Sequence, residues 1–233
     1  FHKNNAKTLD FLISIGGDGT FLHASQYALH HQIPIVGINY GYTGFLTSIE
    51  KEEVFSSLLD IIENRFTIEE RSVMKATLIR NGKEKAFLLA VNDIVLQREA
   101  QEKILQLTIF LGKHKIMEIR GDGVIVATST GSTAYSLSNY GPLVDPKCPV
   151  FLINPIASHS LTSRCVVVPD QKKVFITVNT TNQNSKLIYD GFEAIQLEDQ
   201  DRIMIEKNAI PLKRIVLQPK HFFEVLQEKF NWS

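Results

Sequence analysis

Apolar and polar positions along this chain change their rhythm near residue 65. Residues Leu9 to Ile15 (LDFLISI) form a short apolar run that stops at glycines, the pattern of a buried strand. From Thr20 to His31 apolar residues recur at near-helical spacing, with Phe21, Ala24 and Ala28 on one row and Leu22 and Leu29 on another. A second buried strand is predicted at Ile33 to Ile38 (IPIVGI), then a glycine-rich loop at Gly41 to Gly44. Thr47 and Glu50 have capping-box spacing ahead of a helix expected to bury Val54, Phe55, Leu58, Leu59 and Ile62. Strand–helix–strand–helix predicts a parallel sheet with helices on both faces.

Beyond Arg65 the pattern shortens and alternates. Asn81-Gly82 between two alternating runs predicts a tight hairpin with positive φ at both turn residues. Further strands are predicted at Ile104–Leu111, Lys115–Ile119, Val124–Thr128, Val174–Asn179, Lys186–Tyr189, Ile195–Leu197 and Arg202–Glu206. Many short strands separated by turn residues predict an antiparallel, sandwich-like domain. A last helix, His221 to Phe230, carries Phe222, Phe223, Leu226 and Phe230, which read as packing residues and not as a stacking platform for bases. The fold class expected is therefore α/β plus all-β.

Composition narrows the function classes. Lysine plus arginine total 25 and aspartate plus glutamate total 25, a balance that argues against nucleic acid as partner. Two cysteines, Cys148 and Cys165, are too few for a disulfide framework and are expected as buried free thiols of a reducing compartment. No apolar run reaches the ~18 residues of a membrane helix, and no signal peptide is visible, so a cytoplasmic protein with no membrane partner is expected. The chain opens with Phe1 directly before a hydrophobic strand, so its natural N-terminus is expected to lie upstream.

The most informative segment is Gly16-Gly17-Asp18-Gly19-Thr20, between a predicted strand and a predicted helix. Gly16, Gly17 and Gly19, with Thr20, form a candidate phosphate-binding loop: glycines allow close approach, and free N–H groups at a helix start favour an anion. Asp18 would repel a phosphate, so it needs another task. It is suited either to take a proton from an attacking hydroxyl or to hold a magnesium ion. The P-loop pattern GxxxxGK[ST] and the dinucleotide fingerprint GxGxxG are both absent, so a nucleotide must be held in some other way.

GGDGT resembles the motif of a superfamily of NAD, lipid and phosphofructokinase-like kinases. Within it, Gly121 to Tyr135 (GDGVIVATSTGSTAY) followed by Ser136-Leu137-Ser138 resembles the signature of NAD kinases. Asn39–Thr47 (NYGYTGFLT), Asn92-Asp93, Ile153–Leu161 (INPIASHSL), Val168-Pro169-Asp170 and Asp190-Gly191 match in the family's order. The resemblance implies transfer of a γ-phosphoryl from ATP, or from polyphosphate, to the 2′-hydroxyl of the adenosine ribose of NAD, giving NADP. It implies a divalent cation such as Mg2+ carried on the ATP phosphates, with no dedicated protein metal site. It implies a domain of residues 1–65 with 211–233, a second of 66–210, an active site in the cleft between them, and a homodimer or homotetramer. Residue by residue it implies Asp18 as catalytic base, Gly19 and Phe45 lining the NAD pocket, and Asn92 with Asp93 on the ribose hydroxyls. Asp122, Thr130 and Thr133 are implied around adenine, with Ala134, Tyr135 and Ser138 in the same pocket and Tyr135 reaching a neighbouring subunit's site.

Three positions depart from the family's pattern: Asp93 replaces a glutamate, Phe192 replaces a histidine or glutamine, and Thr43 replaces a leucine. A lipid kinase sharing the glycine loop, and a non-catalytic NAD- or NADP-sensing module, are the rival readings. The Asp122–Ser138 signature argues against the lipid kinase. His23, His30 and His31 are read as solvated or core histidines, and His159 as a hydrogen-bonded structural one.

Overall fold

The computed structural model describes residues 9–41, 44–99, 103–179 and 184–231, apart from the side chains of residues 193 and 194. The chain divides into two compact units, Phe1–Arg71 with Ile210–Ser233, and Ser72–Ala209. The first unit begins β1 (Leu12–Gly16), α1 (Asp18–His31), β2 (Ile35–Asn39), β3 (Ile49–Glu50), α2 (Val54–Ile62) and β4 (Thr67–Arg71). The second runs β5 (Met74–Arg80), β6 (Lys83–Ala90), β7 (Asp93–Arg98), β8 (Leu105–Leu111), β9 (His114–Gly121) and β10 (Gly123–Thr128). After a 3-10 turn at Thr130–Thr133 come α3 (Tyr135–Ser138), β11 (Val150–Ile156), β12 (Val166–Pro169), β13 (Val174–Val178), β14 (Ser185–Tyr189), β15 (Phe192–Leu197) and β16 (Arg202–Lys207). The chain then returns to the first unit with β17 (Leu212–Val216) and α4 (Phe222–Phe230).

The first unit's sheet is mixed, where a purely parallel one was expected. Its order is β1-β2-β17-β4, with β3 also on β2. β1, β17 and β3 run parallel to β2, while β4 pairs antiparallel with β17, Lys213 opposite Glu70. β4 thus carries this unit past residue 65. α1 buries Phe21, Leu22, Ser25, Ala28 and Leu29, close to the predicted stripe, and ends where Gln32 turns left-handed at φ 56.

Three expectations fail here. The first strand is not buried throughout: as an edge strand it buries Ser14 and exposes Ile13 and Ile15. The capping box at Thr47 and Glu50 does not form, because Ile49 and Glu50 are spent on β3. α2 instead follows a 3-10 turn at Lys51–Glu53 and has no side-chain cap. It buries Ser57 and Ile61 and leaves Phe55 78% and Ile62 71% exposed, so its inward face is rotated from the predicted one.

The second unit holds two six-stranded sheets, β12-β11-β10-β7-β14-β15 and β6-β5-β16-β13-β8-β9. Every pairing among these strands is antiparallel. One core takes alternate residues from both: Ile94, Leu96, Val124, Val126, Phe151 and Ile153 from one, Met74, Leu107, Ile109, Ile176, Ile203 and Ile205 from the other. This is the sandwich expected from period-two patterning. Val95, Ile125, Ala127 and Leu152 pack against Val144, Val150 and Cys165 on the other face of the first of these sheets. β7, β10 and β11 are therefore buried almost throughout, which explains their continuous apolar runs. The hairpin at Asn81-Gly82 forms as predicted, with φ 53 and 72.

Candidate functional site

In the first unit the glycine loop joins the C-terminal end of β1 to α1, and Asp18 is the helix's first residue. An acid there suits the partial positive charge of a helix start. The Asp18 carboxylate is held by a second loop: Oδ2 accepts from the Phe45 amide at 2.7 Å, and Oδ1 from those of Leu46 and Thr47 at 3.0 and 3.4 Å. A carboxylate offers about four acceptor positions. Both on Oδ1 are taken, and among the described residues one on Oδ2 is open. A Cβ on Gly44 would lie 1.8 Å from Asp18 Oδ1, so only glycine lets this loop approach the acid. At Gly17 and Gly19 a Cβ would meet nothing within 4 Å, so the backbone there is open, and Gly19 and Thr20 are exposed.

The loop's other side is fixed as well. Arg214 on β17 donates to the carbonyls of Phe45 and Leu46 at 3.3 and 3.1 Å and to Glu69 at 2.6 Å. Arg71 adds a second ion pair to Glu69 at 3.0 Å. Burial works against the Glu69 charge, but the two guanidinium groups outweigh it and hold its carboxyl below the usual carboxylate range. Glu69 and Arg214 belong to strands distant in sequence, and no local motif points to them. Tyr42 and Thr43, part of the family-like stretch, lie outside the described residues.

In the second unit Asn92 and Asp93 open β7, and both are buried. Their turn is clamped by Asp190, which sits at φ 47 between β14 and β15. Asp190 Oδ2 accepts from the Val91 amide at 2.8 Å, and Oδ1 from those of Asn92 and Asp93 at 2.7 and 3.0 Å. In return the Asp190 amide donates to the Asp93 carbonyl at 2.9 Å. An Asp-Gly pair reads as a turn in sequence; its reach across 97 to 99 residues does not. Burial, and then the Asp190 charge, push Asp93 up to about 7 against one opposing bond from the Tyr135 amide. Burial pushes Asp190 up to about 6 despite its three amides.

The threonine-rich segment packs on the same turn. Thr128 Oγ1 donates to the Val91 carbonyl at 2.6 Å and accepts from the Gly131 amide at 3.0 Å. A Cβ on Gly131 would lie 2.1 Å from the Asn92 carbonyl oxygen. Thr130 is buried with its Oγ1 unpartnered among the described residues, and Thr133 Oγ1 donates to the Thr130 carbonyl at 3.2 Å. Tyr135 and Ser138 are exposed, and Ala134 is half-buried between Thr133 and Tyr135. Asn92, Asp93, Thr130, Thr133, Ala134 and Tyr135 thus come together at one end of β10.

Asp122 does not join them. It precedes β10, paired with Arg98 at 2.7 Å, while Ala127 near the far end lies opposite Asp93. Six strand residues at about 3.3 Å each put Asp122 roughly 20 Å from the threonine turn. One chain therefore does not bring Asp122 together with the threonine turn.

The remaining sequence candidates fall outside the site. His159 is exposed, and its backbone amide donates to the Arg120 carbonyl at 2.8 Å. Cys165 is half-buried, and its thiol is pushed up to about 11 by that burial, whereas Cys148 is exposed, against the expectation of two buried thiols. Phe192 packs near the Tyr189 ring at 5.4 Å. Among the described residues no group of three or more His, Cys, Asp or Glu side chains is gathered as a metal site. A divalent cation here would take most of its ligands from a nucleotide's phosphates and water, as Mg2+ commonly does. No described helix is long and apolar enough to cross a membrane.

Residues 1–66 match the family model of the ATP-NAD kinase N-terminal domain, and residues 91–216 that of the ATP-NAD kinase C-terminal domain. An NAD kinase of Ruminiclostridium cellulolyticum is 39% identical over 221 residues, 94% of this chain and 77% of the relative. One of Carboxydothermus hydrogenoformans is 38% identical over 96% of this chain and 80% of the relative. Among solved structures, yeast NADH kinase complexed with NADH superposes with a TM-score of 0.87 at 27% identity, over 97% of this chain and 67% of the other. An NAD kinase from Archaeoglobus fulgidus in complex with ATP gives 0.78 at 27% identity, over 97% and 84%.

Proposed function

This chain belongs to the NAD kinase family, and from that premise we propose that it transfers the γ-phosphoryl of ATP to the 2′-hydroxyl of the adenosine ribose of NAD. The observation that carries the mechanism is the Asp18 carboxylate, fixed by three amides yet with one acceptor position on Oδ2 open among the described residues. In the proposed step the 2′-oxygen bonds to the γ-phosphorus as the bond to the bridging oxygen breaks. The hydroxyl proton passes to Asp18, and ADP leaves. Mg2+ carried on the donor phosphates neutralises part of their charge when bound. Open backbone at Gly17 and Gly19, at the start of α1, suits close approach of a phosphate.

Asn92 and Asp93 bind the ribose hydroxyls in this reading. Asp93, with its carboxyl near 7, is partly protonated at neutral pH and can donate to one hydroxyl while accepting from the other. Thr130, Thr133, Ala134, Tyr135 and Ser138 form the adenine side. Asp122 belongs to the adenine site of a second copy, because within one chain it stands at the other end of β10; a homodimer or homotetramer follows. A cytoplasmic location, where NAD and ATP are both abundant, completes the proposal.

The test is direct. Protein incubated with NAD, Mg2+ and ATP, coupled to an NADP-specific dehydrogenase, is expected to yield NADP continuously. A parallel arm with polyphosphate identifies the donor. Tight NAD binding with no NADP from either donor would remove the kinase reading in favour of a sensor.

A further inference from the structure

The glycine loop has no lysine of its own, and the helix after it begins with an acid. Phosphoryl transfer nevertheless gathers negative charge at this end of the sheet, and positioned cations normally meet it. A cation does stand there. Lys229, on the last turn of α4, has its Nζ out of solvent with no hydrogen-bond partner among the described residues. The ammonium lies 5.6 Å from the centroid of the Phe45 ring. Phe45 is the residue whose amide holds Asp18, and its ring is 6.2 Å from that of Phe230, the neighbour of Lys229 on α4.

The surrounding charges leave it unsatisfied. Burial works to depress its pKa, while Asp18, Glu50 and Glu228 oppose that and Lys220 adds to it. Those carboxylates are committed elsewhere: Asp18 to the three amides, Glu50 to Asn39 at 2.9 Å, and Glu228 to Lys220 at 2.8 Å. Several other buried polar atoms of this unit are unpartnered among the described residues, Ser14 Oγ, Asn39 Oδ1 and Thr47 Oγ1 among them. Asn39 ends β2 opposite Gly16, so it belongs to the same C-terminal strand edge. Native proteins seldom leave a buried ammonium unpaired, and open parallel sheets bind ligands at that edge.

We propose that Lys229 is a phosphate-binding residue of the kinase site, its ammonium contacting the terminal phosphate of the donor beside Asp18. The inference rests on the kinase reading above. Lys229 neither gives nor takes a proton in the transfer; it compensates charge on the oxygens of the moving group. It supplies from the C-terminal helix what a P-loop lysine supplies from within its loop.

The test compares the wild type with Lys229→Met and Lys229→Arg. Calorimetric titration with MgATP, MgADP and NAD gives affinities; coupled initial rates give the KM and kcat for each substrate; thermal melting reports folding. Lys229→Met is expected to melt no lower than wild type, because an unpaired buried charge is removed. It should lose about 10²-fold in kcat/KM for ATP, the scale of one deleted charge-stabilising donor. ATP affinity should fall more than ADP affinity, NAD affinity should hold within about twofold, and Lys229→Arg should recover part of the loss. Unchanged ATP binding and turnover in Lys229→Met would overturn the proposal, as would an equal loss for ATP, ADP and NAD with a lowered melting point. The two readings fail separately: a wild type that makes no NADP removes the kinase reading, while the titrations still report whether Lys229 binds the terminal phosphate.

Discussion

Two aspartates carry the turn of the second unit to which ribose binding is assigned in the proposal, and their chemistry can be read by pH. Asp190 and Asp93 are both raised, to about 6 and about 7, so each folded carboxyl binds its proton more tightly than in the unfolded chain. A raised carboxyl contributes stability that is complete below the unfolded value near 4 and disappears as pH climbs through the folded one. Denaturant unfolding is therefore expected to show stability falling between about pH 4 and pH 7. The groups acting on the pair are the amides of Val91, Asn92, Asp93 and Tyr135 and the two charges themselves. Asp190→Asn removes one charge and one acceptor. It should flatten that decline, cost about 1–3 kcal/mol at low pH where the acid was stabilising, and raise the KM for NAD while leaving that for ATP unchanged. A pH profile identical to wild type would show that Asp190 does not act on Asp93.

At the level of elements, the 44–47 segment shows how a loop becomes part of a site. Its amides face Asp18, its carbonyls face Arg214, and Gly44 leaves room for the carboxylate. Gly44→Ala is expected to displace Asp18, costing about 1–3 kcal/mol in denaturant unfolding, as overpacking does. Turnover should fall by about 10²-fold, the lower scale of losing a positioned base. Wild-type kinetics in Gly44→Ala would contradict this packing. The Asn81-Gly82 hairpin and the α1 stripe were legible in sequence because local backbone chemistry decides them. The pairing of β4 with β17 was not, because tertiary contact alone makes Glu69 and Arg214 neighbours. α2 was misplaced for the same reason: pairing of Ile49 with Ile38 removed the expected cap and turned the helix.

For the whole molecule, the motifs in the sequence named the residues of the proposed site without saying what holds them. Asp18, Asn92, Asp93 and Tyr135 were visible as motif residues. The clamps that orient them, Arg214, Asp190 and the Phe45–Thr47 amides, are long-range and appear only in the folded units. Asp122 shows the reverse case, a residue within the same sequence signature that β10 carries to the far end of its sheet. In the proposed mechanism Asp18 serves as a base while also anchoring its loop, and Asp18→Asn removes the base while its one remaining oxygen can still accept the Leu46 and Thr47 amides, at the loss of the Phe45 bond. With NAD, Mg2+ and ATP under coupled assay, and melting temperature and NAD affinity measured alongside, NADP formation is expected to fall by about 10²–10⁴-fold while NAD binding persists. Near-wild-type NADP formation by a folded Asp18→Asn protein would mean that the carboxylate only fastens its loop.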